Sequence, residues 1–333
     1  EYTADLQSLT TDEKPAKMSI GMPVYNGGVF LSGALDSLLA QNYQDFELII
    51  CDNASTDNTL EICNAYINKD SRIKYYRNQD NLGSAKNFQR VLELASGEYF
   101  MWAAHDDRWH PDFISKCIFK LEQNPQAILC NTDTFFIDNK GNILEKYSQF
   151  SGARGLDTSG MNVVERFSEF MYNFNAFIIY GVFQTSSLKK LFSFPLILGA
   201  DIILMLRIVL FGDILNVRER LFYYYFDNKS ADVTFNAITS NEVFKNTSGT
   251  TSKNFNSTNK EKKQTIIIQE ILKLLRNSDL NNEIKESLEN EFSEILIFKH
   301  ELWLKNSLNE HDKIMEQPKL FLNGLISLSE QEG

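Results

Sequence analysis

The sequence predicts an α/β fold: a mostly parallel sheet flanked by helices, followed by a C-terminal helical extension. Three observations carry that reading. Short apolar runs alternate with helically spaced apolar residues from Ser19 to Pro111. The run Phe46 to Ile50 is nearly continuous rather than alternating, as in a strand buried on both faces. Beyond residue 260 the apolar residues recur only at helical spacing. Strands that alternate with helices imply right-handed crossovers and parallel neighbours.

In chain order, residues 1–17 are polar and read as a tail, and residues 18–239 as one α/β domain. Ser19 to Val24 is a short strand stopped by Asn26-Gly27-Gly28, after which Leu31, Leu35, Leu38 and Leu39 have helical spacing. Phe46 to Ile50 is the second strand, Thr59 to Ile67 a helix, and Ile73 to Tyr76 the third strand. Asn81-Leu82-Gly83 turns the chain into a helix bearing Phe88, Val91, Leu92 and Leu94. Tyr99 to Ala103 is a fourth strand, and His110-Pro111 opens a helix. From Ile128 to Tyr147 the pattern is strand-like, with a hairpin turn at Asp138 to Asn142. Met161 to Phe174 predicts an amphipathic helix, Tyr180 to Gln184 a strand, Ser186 to Leu191 a short helix, Asp201 to Leu210 a buried helix, and Tyr223 to Phe226 an aromatic strand. Residues 240–260, rich in Asn, Ser and Thr, read as a linker. Residues 261–333 form the helical region, with helices expected at Thr265 to Arg276 and Asn282 to Asn306.

Composition limits the function classes. Of the 333 residues, 43% are hydrophobic and 23% charged, which suits a globular chain with a sizeable core. The net charge of −11 argues against a general nucleic-acid partner, since binding a polyphosphate backbone takes a basic surface. Cys51, Cys63, Cys117 and Cys130 are too few and too widely spaced for a disulfide framework or a CxxC zinc site. They read as free thiols of a reducing, cytoplasmic compartment, where sequons such as Asn228-Lys229-Ser230 carry no weight. No stretch approaches the roughly 20 uncharged apolar residues of a membrane span. Lys260, Lys262, Lys263, Lys273 and Arg276 form a basic cluster that reads first as a solvated face, with peripheral contact to anionic lipid as the alternative.

The unusual polar residues fall at the ends of the expected strands: Tyr25-Asn26, Asp52-Asn53 and His105-Asp106-Asp107. In open parallel sheets that is where ligands bind. Two adjacent carboxylates repel unless a cation or a proton compensates them, so Asp106 and Asp107 point to a hard divalent ion, Mg²⁺ or Mn²⁺; the competing reading is that they only precede the helix at Pro111. Asp52 stands where a carboxylate can accept from a base or sugar, whereas Asp57 reads as a helix cap. Asn81, Gly83 and Lys86 lie at a helix N-terminus able to hold a diphosphate, or in an ordinary connection. Asp201 heads an apolar helix, as a cap or as a general base with a raised pKa. His105 is a weaker candidate ligand. No nucleophile–His–Asp arrangement, P-loop or GxGxxG is present.

Together these pieces resemble glycosyltransferase family 2, nucleotide-sugar-dependent inverting enzymes of GT-A (Rossmann-like) fold. The resemblance rests on Met22-Pro23-Val24-Tyr25-Asn26, Asp52-Asn53-Ala54-Ser55-Thr56-Asp57, Asn81-Leu82-Gly83 with Ala85-Lys86-Asn87, and Ser96-Gly97-Glu98-Tyr99 leading to His105-Asp106-Asp107. It covers residues 18–130 well and 131–226 more loosely. It implies a nucleotide-binding half at 18–130 and an acceptor half at 131–239. Pro23, Tyr25 and Asp52 would then line the nucleobase pocket, and Asn26, Asn81, Gly83, Lys86 and Asp106 would also bind the nucleotide. Asp106 and Asp107 would hold Mn²⁺ or Mg²⁺, and Asp201 would be the catalytic base. Many relatives carry an acidic residue two positions before the pair, where this chain has Ala104, so one ligand is missing. The expected reaction moves a sugar from a UDP- or dTDP-linked donor to a hydroxyl on a glycan or lipid-linked acceptor in bacterial surface polysaccharide assembly. The alternatives are a non-catalytic nucleotide-sugar-binding scaffold and a sugar nucleotidyltransferase, though Tyr25-Asn26-Gly27-Gly28 lacks the basic residue of the latter. The apolar face of the C-terminal helices needs cover, from its own domain or from a second copy of the chain.

Overall fold

A computed structural model describes residues 16–145, 153–173, 176–192, 200–226 and 257–308. Its centre is an eight-stranded sheet of β1 (Met18–Val24), β2 (Phe46–Asp52), β3 (Ile73–Arg77), β4 (Tyr99–Trp102), β5 (Arg108–Trp109), β6 (Ala127–Ile137), β7 (Val182–Gln184) and β8 (Asp213–Tyr225). The spatial order is β3-β2-β1-β4-β7-β6-β8-β5. The pairs β2–β3, β1–β2, β1–β4 and β6–β8 are parallel; β4–β7, β6–β7 and β5–β8 are antiparallel. The expected parallel block is therefore the β3-β2-β1-β4 half, and the second half is mixed.

Continuous apolar strands serve two cores because successive side chains leave opposite faces of a sheet. On β2, Leu48 and Ile50 enter one core and Ile49 and Cys51 the other. On β4, Tyr99 and Met101 face the first core while Phe100 and Trp102 face the second. Gly21 on β1 lets these layers close, since a Cβ there would sit 2.8 Å from the Phe100 ring and 2.9 Å from Val91.

The first core is covered by α1 (Leu31–Leu39) and α4 (Phe113–Glu122), whose apolar residues recur at spacings of three and four. In the chain, α2 (Thr59–Ile67) connects β2 to β3, and α3 (Ser84–Leu94) connects β3 to β4. The second core collects α3, α5 (Val163–Asn173) and α7 (Ala200–Phe211), together with α8 (Ser257–Arg276) and α9 (Asn282–Leu308). A short helix, α6 (Thr185–Leu191), follows β7. Ile267, Ile271 and Leu275 of α8 and Leu288, Phe292 and Ile295 of α9 are buried there. Phe292 meets the Phe167 ring at 6.1 Å, and the Ser168 hydroxyl donates to Glu291 at 2.7 Å. The apolar face expected to need cover thus lies on its own domain over these residues.

Several expected boundaries move. The strand from Ile128 stops at Ile137; the turn at Asp138 forms, but among the described residues its return arm makes one bridge, Ile137 to Ile143. Tyr180 ends a 3-10 turn (Ala176–Tyr180) rather than starting a strand. The aromatic strand at Tyr223 is the end of the 13-residue β8, whose exposed Arg218 and Glu219 hide it from a hydropathy reading. There β6 and β8 slip register between Thr132–Val217 and Asp133–Arg220. β5 lies between Asp107 and Pro111, so the carboxylate pair does not lead directly into a helix. The helix α8 begins at Ser257, inside the segment read as linker. Residues 227–256, Asn228 and Asn246 among them, and the tail 1–15 lie outside the described residues. The four cysteines are free and buried, and burial pushes the Cys51 and Cys63 thiols up to about 12.

Candidate active site

The strand order reverses direction around β1, which has β2 on one side and β4 on the other, so the loops leaving β1, β2 and β4 open on one crevice. Those loops touch. A Cβ on Gly27 would lie 2.9 Å from the His105 ring, joining the loops after β1 and β4. Hydrogen bonds strap the loop after β1 to the loop after β2 and the start of α2. Asn26 N–H donates to Ser55 Oγ at 2.9 Å, Gly27 N–H to Thr59 Oγ1 at 2.9 Å, Gly28 N–H to Asp57 Oδ2 at 2.9 Å, and Thr56 N–H to Asn26 Oδ1 at 2.8 Å. Asn26 takes φ 51°, a left-handed conformation that Asn tolerates. Asp57 also accepts from the Thr59 N–H at 3.0 Å, so it caps the turn entering α2 while tying down Gly28. Tyr25, next to these anchored residues, is 45% exposed. Pro23 is the penultimate residue of β1.

Asp52 ends β2 with its side chain wholly buried. Its Oδ1 accepts from the Ser55 N–H at 2.8 Å; Oδ2 accepts from the Tyr75 hydroxyl at 2.7 Å and pairs with the Arg77 guanidinium. Arg77 also donates to the Ser55 carbonyl at 2.7 Å. Sequence reading missed Tyr75 and Arg77. The signal was the parallel register, which sets Arg77 directly opposite Asp52.

Beside Asp52, Asn53 organises the next wall. Its Nδ2 donates to Asn81 Oδ1 at 2.7 Å, and its Oδ1 accepts from Asn78 Nδ2 at 2.8 Å and the Leu82 N–H at 2.9 Å. Asn81 Oδ1 also accepts from the Gly83 N–H at 2.9 Å. Gly83, the N-cap of α3, has φ 83° and ψ 162°, a conformation glycine adopts without strain. These bonds fix the start of α3, where Lys86 is exposed and has no ion pair among the described residues. The buried amide Asn78 was missed by sequence reading, because a lone Asn in a polar loop carries no pattern, whereas the buried Asn87 lies within the motif Ala85-Lys86-Asn87.

The paired carboxylates differ. Asp106 is half-buried; Asp107 is 1% exposed. Asp107 Oδ1 accepts from the Tyr225 N–H at 2.8 Å, while Oδ2 is buried with no hydrogen-bond partner among the described residues. Burial first, and the neighbouring Asp106 second, push its carboxyl well above the usual range. Asp201 lies in the first turn of α7, where burial raises its carboxyl too, against hydrogen bonding to the backbone N–H of Ile202 and its own N–H. Burial raises the Tyr180 and Tyr224 phenols, and each also feels the charges of Asp107, Asp106 and Asp201. The three carboxylates therefore share one neighbourhood, with two protonated phenols in it. Neither tyrosine was singled out by sequence.

An orphaned, buried carboxylate oxygen next to a second carboxylate fits a hard cation, which would replace the missing partner. Among the described residues no group of three or more His, Cys, Asp or Glu side chains could hold a metal ion. Asp106 and Asp107 would thus supply a minority of the ligands, the rest coming from ligand oxygens and water. His105 stands against Gly27.

A curled, mixed sheet flanked by helices, with its polar residues gathered beyond the ends of the parallel strands, defines a GT-A-type α/β protein. The chain belongs to glycosyl transferase family 2, whose family description matches residues 19–185. An uncharacterized glycosyltransferase of Haemophilus influenzae is 37% identical over 125 residues, 38% of this chain and 50% of that protein. The chain spans about half, or less, of the length of the curated relatives it matches. Among solved structures, Staphylococcus aureus TarS 1–349 in complex with UDP-GlcNAc has TM-score 0.53 at 16% identity, covering 84% of this chain and 80% of that one. The mannosyltransferase PcManGT of Pyrobaculum calidifontis, in complex with GDP-Man and Mn²⁺, has TM-score 0.54 at 12% identity, covering 95% and 79%. No helix among the described residues is long and apolar enough to cross a membrane.

Proposed function

We propose that the chain is an inverting glycosyltransferase that moves a sugar from a UDP- or dTDP-linked donor to the hydroxyl of a glycan or lipid-linked acceptor. The observation that carries this is the buried, unpartnered Asp107 Oδ2 in the same neighbourhood as Asp106 and Asp201. Tyr25, exposed at the head of the anchored loop after β1 and two residues beyond Pro23, offers a ring for a nucleobase to stack on. Asp52 is the base acceptor in this reading, and Arg77, which pairs with it and is 38% exposed at its side chain, is the group that moves aside or shares it. Asn26 holds the floor of the pocket; Asn81 and Gly83 shape the entry to α3, where Lys86 and the free N–H groups meet the diphosphate. Asp106 contacts ribose or diphosphate and, with Asp107, would hold Mn²⁺ or Mg²⁺. Such an ion supplies Lewis-acid neutralisation of the departing diphosphate. Asp201 takes the proton from the acceptor hydroxyl, and burial brings its pKa nearer to the working pH, as a general base requires. Attack from the face opposite the leaving group inverts the anomeric centre. Free buried thiols accord with a cytoplasmic setting, and surface polysaccharide assembly is the process the family resemblance suggests.

Asp201→Asn keeps shape and removes the base. Transfer falls by at least about a hundredfold, while donor binding is retained. Substantial turnover in that variant would contradict the role of Asp201. Donor binding with no nucleoside diphosphate released in the wild type, acceptor present, would favour a binding scaffold, the reading suggested by Ala104.

A further inference from the structure

A second cavity, of about 740 Å³, lies away from the crevice, between α6, α7, α8 and the turn after α8. Arg207 of α7 borders it. Arg207 stands six residues beyond Asp201, about 9 Å along the helix axis and on another face of the same helix. An arginine within the apolar run Ile202 to Leu210 is costly unless something accepts its hydrogens. Its Nε is buried and has no hydrogen-bond partner among the described residues, while the residue as a whole is half-buried and lines the cavity.

The surroundings define what would satisfy it. Lys190 and Lys273 line the same cavity, as do Glu270 and Asp279. Glu270 stands 3.6 Å from Lys273, one turn along α8, and is occupied by that pair. Arg207 and Lys190 have no ion pair among the described residues, and Asp279 is the one further acid on the lining, so the local balance favours an anion. A guanidinium fork is best matched by two oxygens of a phosphate or carboxylate. The cavity falls within the roughly 300–1,000 Å³ of small-molecule sites and is far larger than a bare phosphate needs. The rest of its wall includes Leu191, Ile203 and the 45% exposed Phe211.

We propose that this cavity binds an amphiphilic phosphate, its head held by Arg207 and Lys190 and its hydrocarbon body lying against Leu191, Ile203 and Phe211. The proposal is independent of the nucleotide crevice, because no residue assigned there borders the cavity.

Calorimetric titration of the full chain with hexyl phosphate, inorganic phosphate and hexyl glucoside tests it. Hexyl phosphate binds at least about tenfold more tightly than either control, Arg207→Gln weakens it about tenfold or more, and Lys190→Ala, on an exposed position, weakens it a few-fold. Sedimentation with phosphatidylglycerol vesicles but not phosphatidylcholine vesicles, lost in both variants, identifies a lipid headgroup as the source; absence of sedimentation alongside hexyl phosphate binding identifies a free amphiphile. Equal binding of hexyl phosphate and either control, or wild-type binding by both folded variants, overturns the proposal. Should Arg207→Gln fail to fold, unchanged binding by Lys190→Ala still does so.

Discussion

Asp107 accepts a 2.8 Å hydrogen bond from the Tyr225 N–H through one carboxylate oxygen and buries the other without a partner. The bond joins the loop after β4 to the last residue of β8, two segments 118 residues apart in sequence. The same junction is carried by the pairing of β5 with β8, and Asp107 adds to it a side chain whose second oxygen has nothing to bind among the described residues. An unpartnered buried polar group costs about 1–3 kcal/mol, more when charged, and such groups persist chiefly where a ligand or ion uses them.

Asp201 gives the first pH dependence. Its folded-state pKa is raised by burial, so transfer declines on the acid side with a midpoint above the ordinary Asp value near 3.9. The sign for stability is opposite: the neutral form is favoured in the fold, so stability present below the unfolded pKa is given up as pH rises through the raised value. A denaturation series over that window shows wild type losing stability relative to Asp201→Asn. Parallel curves contradict the shift.

Glu47 behaves in the reverse sense. Burial alone would raise its carboxyl, but bonds from Lys74 Nζ at 2.6 Å, Ser19 Oγ at 2.6 Å and the Ser96 hydroxyl at 2.7 Å hold it below the usual range. It ties β2 to β1, β3 and the turn before β4. Its contribution is complete above the unfolded pKa and lost as pH falls through the lower folded value. Glu47→Gln costs about 1–3 kcal/mol at neutral pH and flattens the acid limb of a pH–stability curve. An unchanged melting temperature would show the cluster to be incidental.

Gly83→Ala isolates backbone strain at the crevice. A Cβ there meets nothing within 4 Å, so the cost comes from φ 83° alone, about 1–3 kcal/mol. Because Gly83 closes the Asn53–Asn81 network that sets the start of α3, donor affinity falls together with stability. A full-affinity Ala variant would remove this turn from the proposed diphosphate site.

Phe292→Ala asks whether the C-terminal helices are part of the domain. Phe292 is fully buried against Phe167. Truncation costs about 3–5 kcal/mol in a single cooperative melt. A separate low-temperature transition, with the remainder melting as wild type, would make α8 and α9 an independent appendage.

The parallel half was legible because each of its strands is a compact apolar run ending in a polar cluster; Val24, Asp52 and Trp102 end strands within a residue or two of expectation. The mixed half was not. β8 carries Arg218 and Glu219 on exposed positions where its pairing with β6 slips, so its hydropathy reads as a loop. At the site, the charged and glycine-bearing motifs announced themselves, whereas Arg77, Asn78, Tyr180 and Tyr224 matter through register and packing across segments far apart in sequence. The same limit hid the tie from Asp107 to Tyr225.

The most direct measurement is a thermal-shift panel of UDP-, dTDP- and GDP-sugars with and without Mn²⁺, on wild type and Asp107→Asn. At least one uridine or thymidine diphosphate sugar should raise the wild-type melting temperature only when Mn²⁺ is present. That metal-dependent part should vanish in Asp107→Asn, which keeps the Tyr225 hydrogen bond and melts no lower than wild type without metal. Stabilisation by no donor, or an equal shift with and without Mn²⁺ in both proteins, would contradict the account.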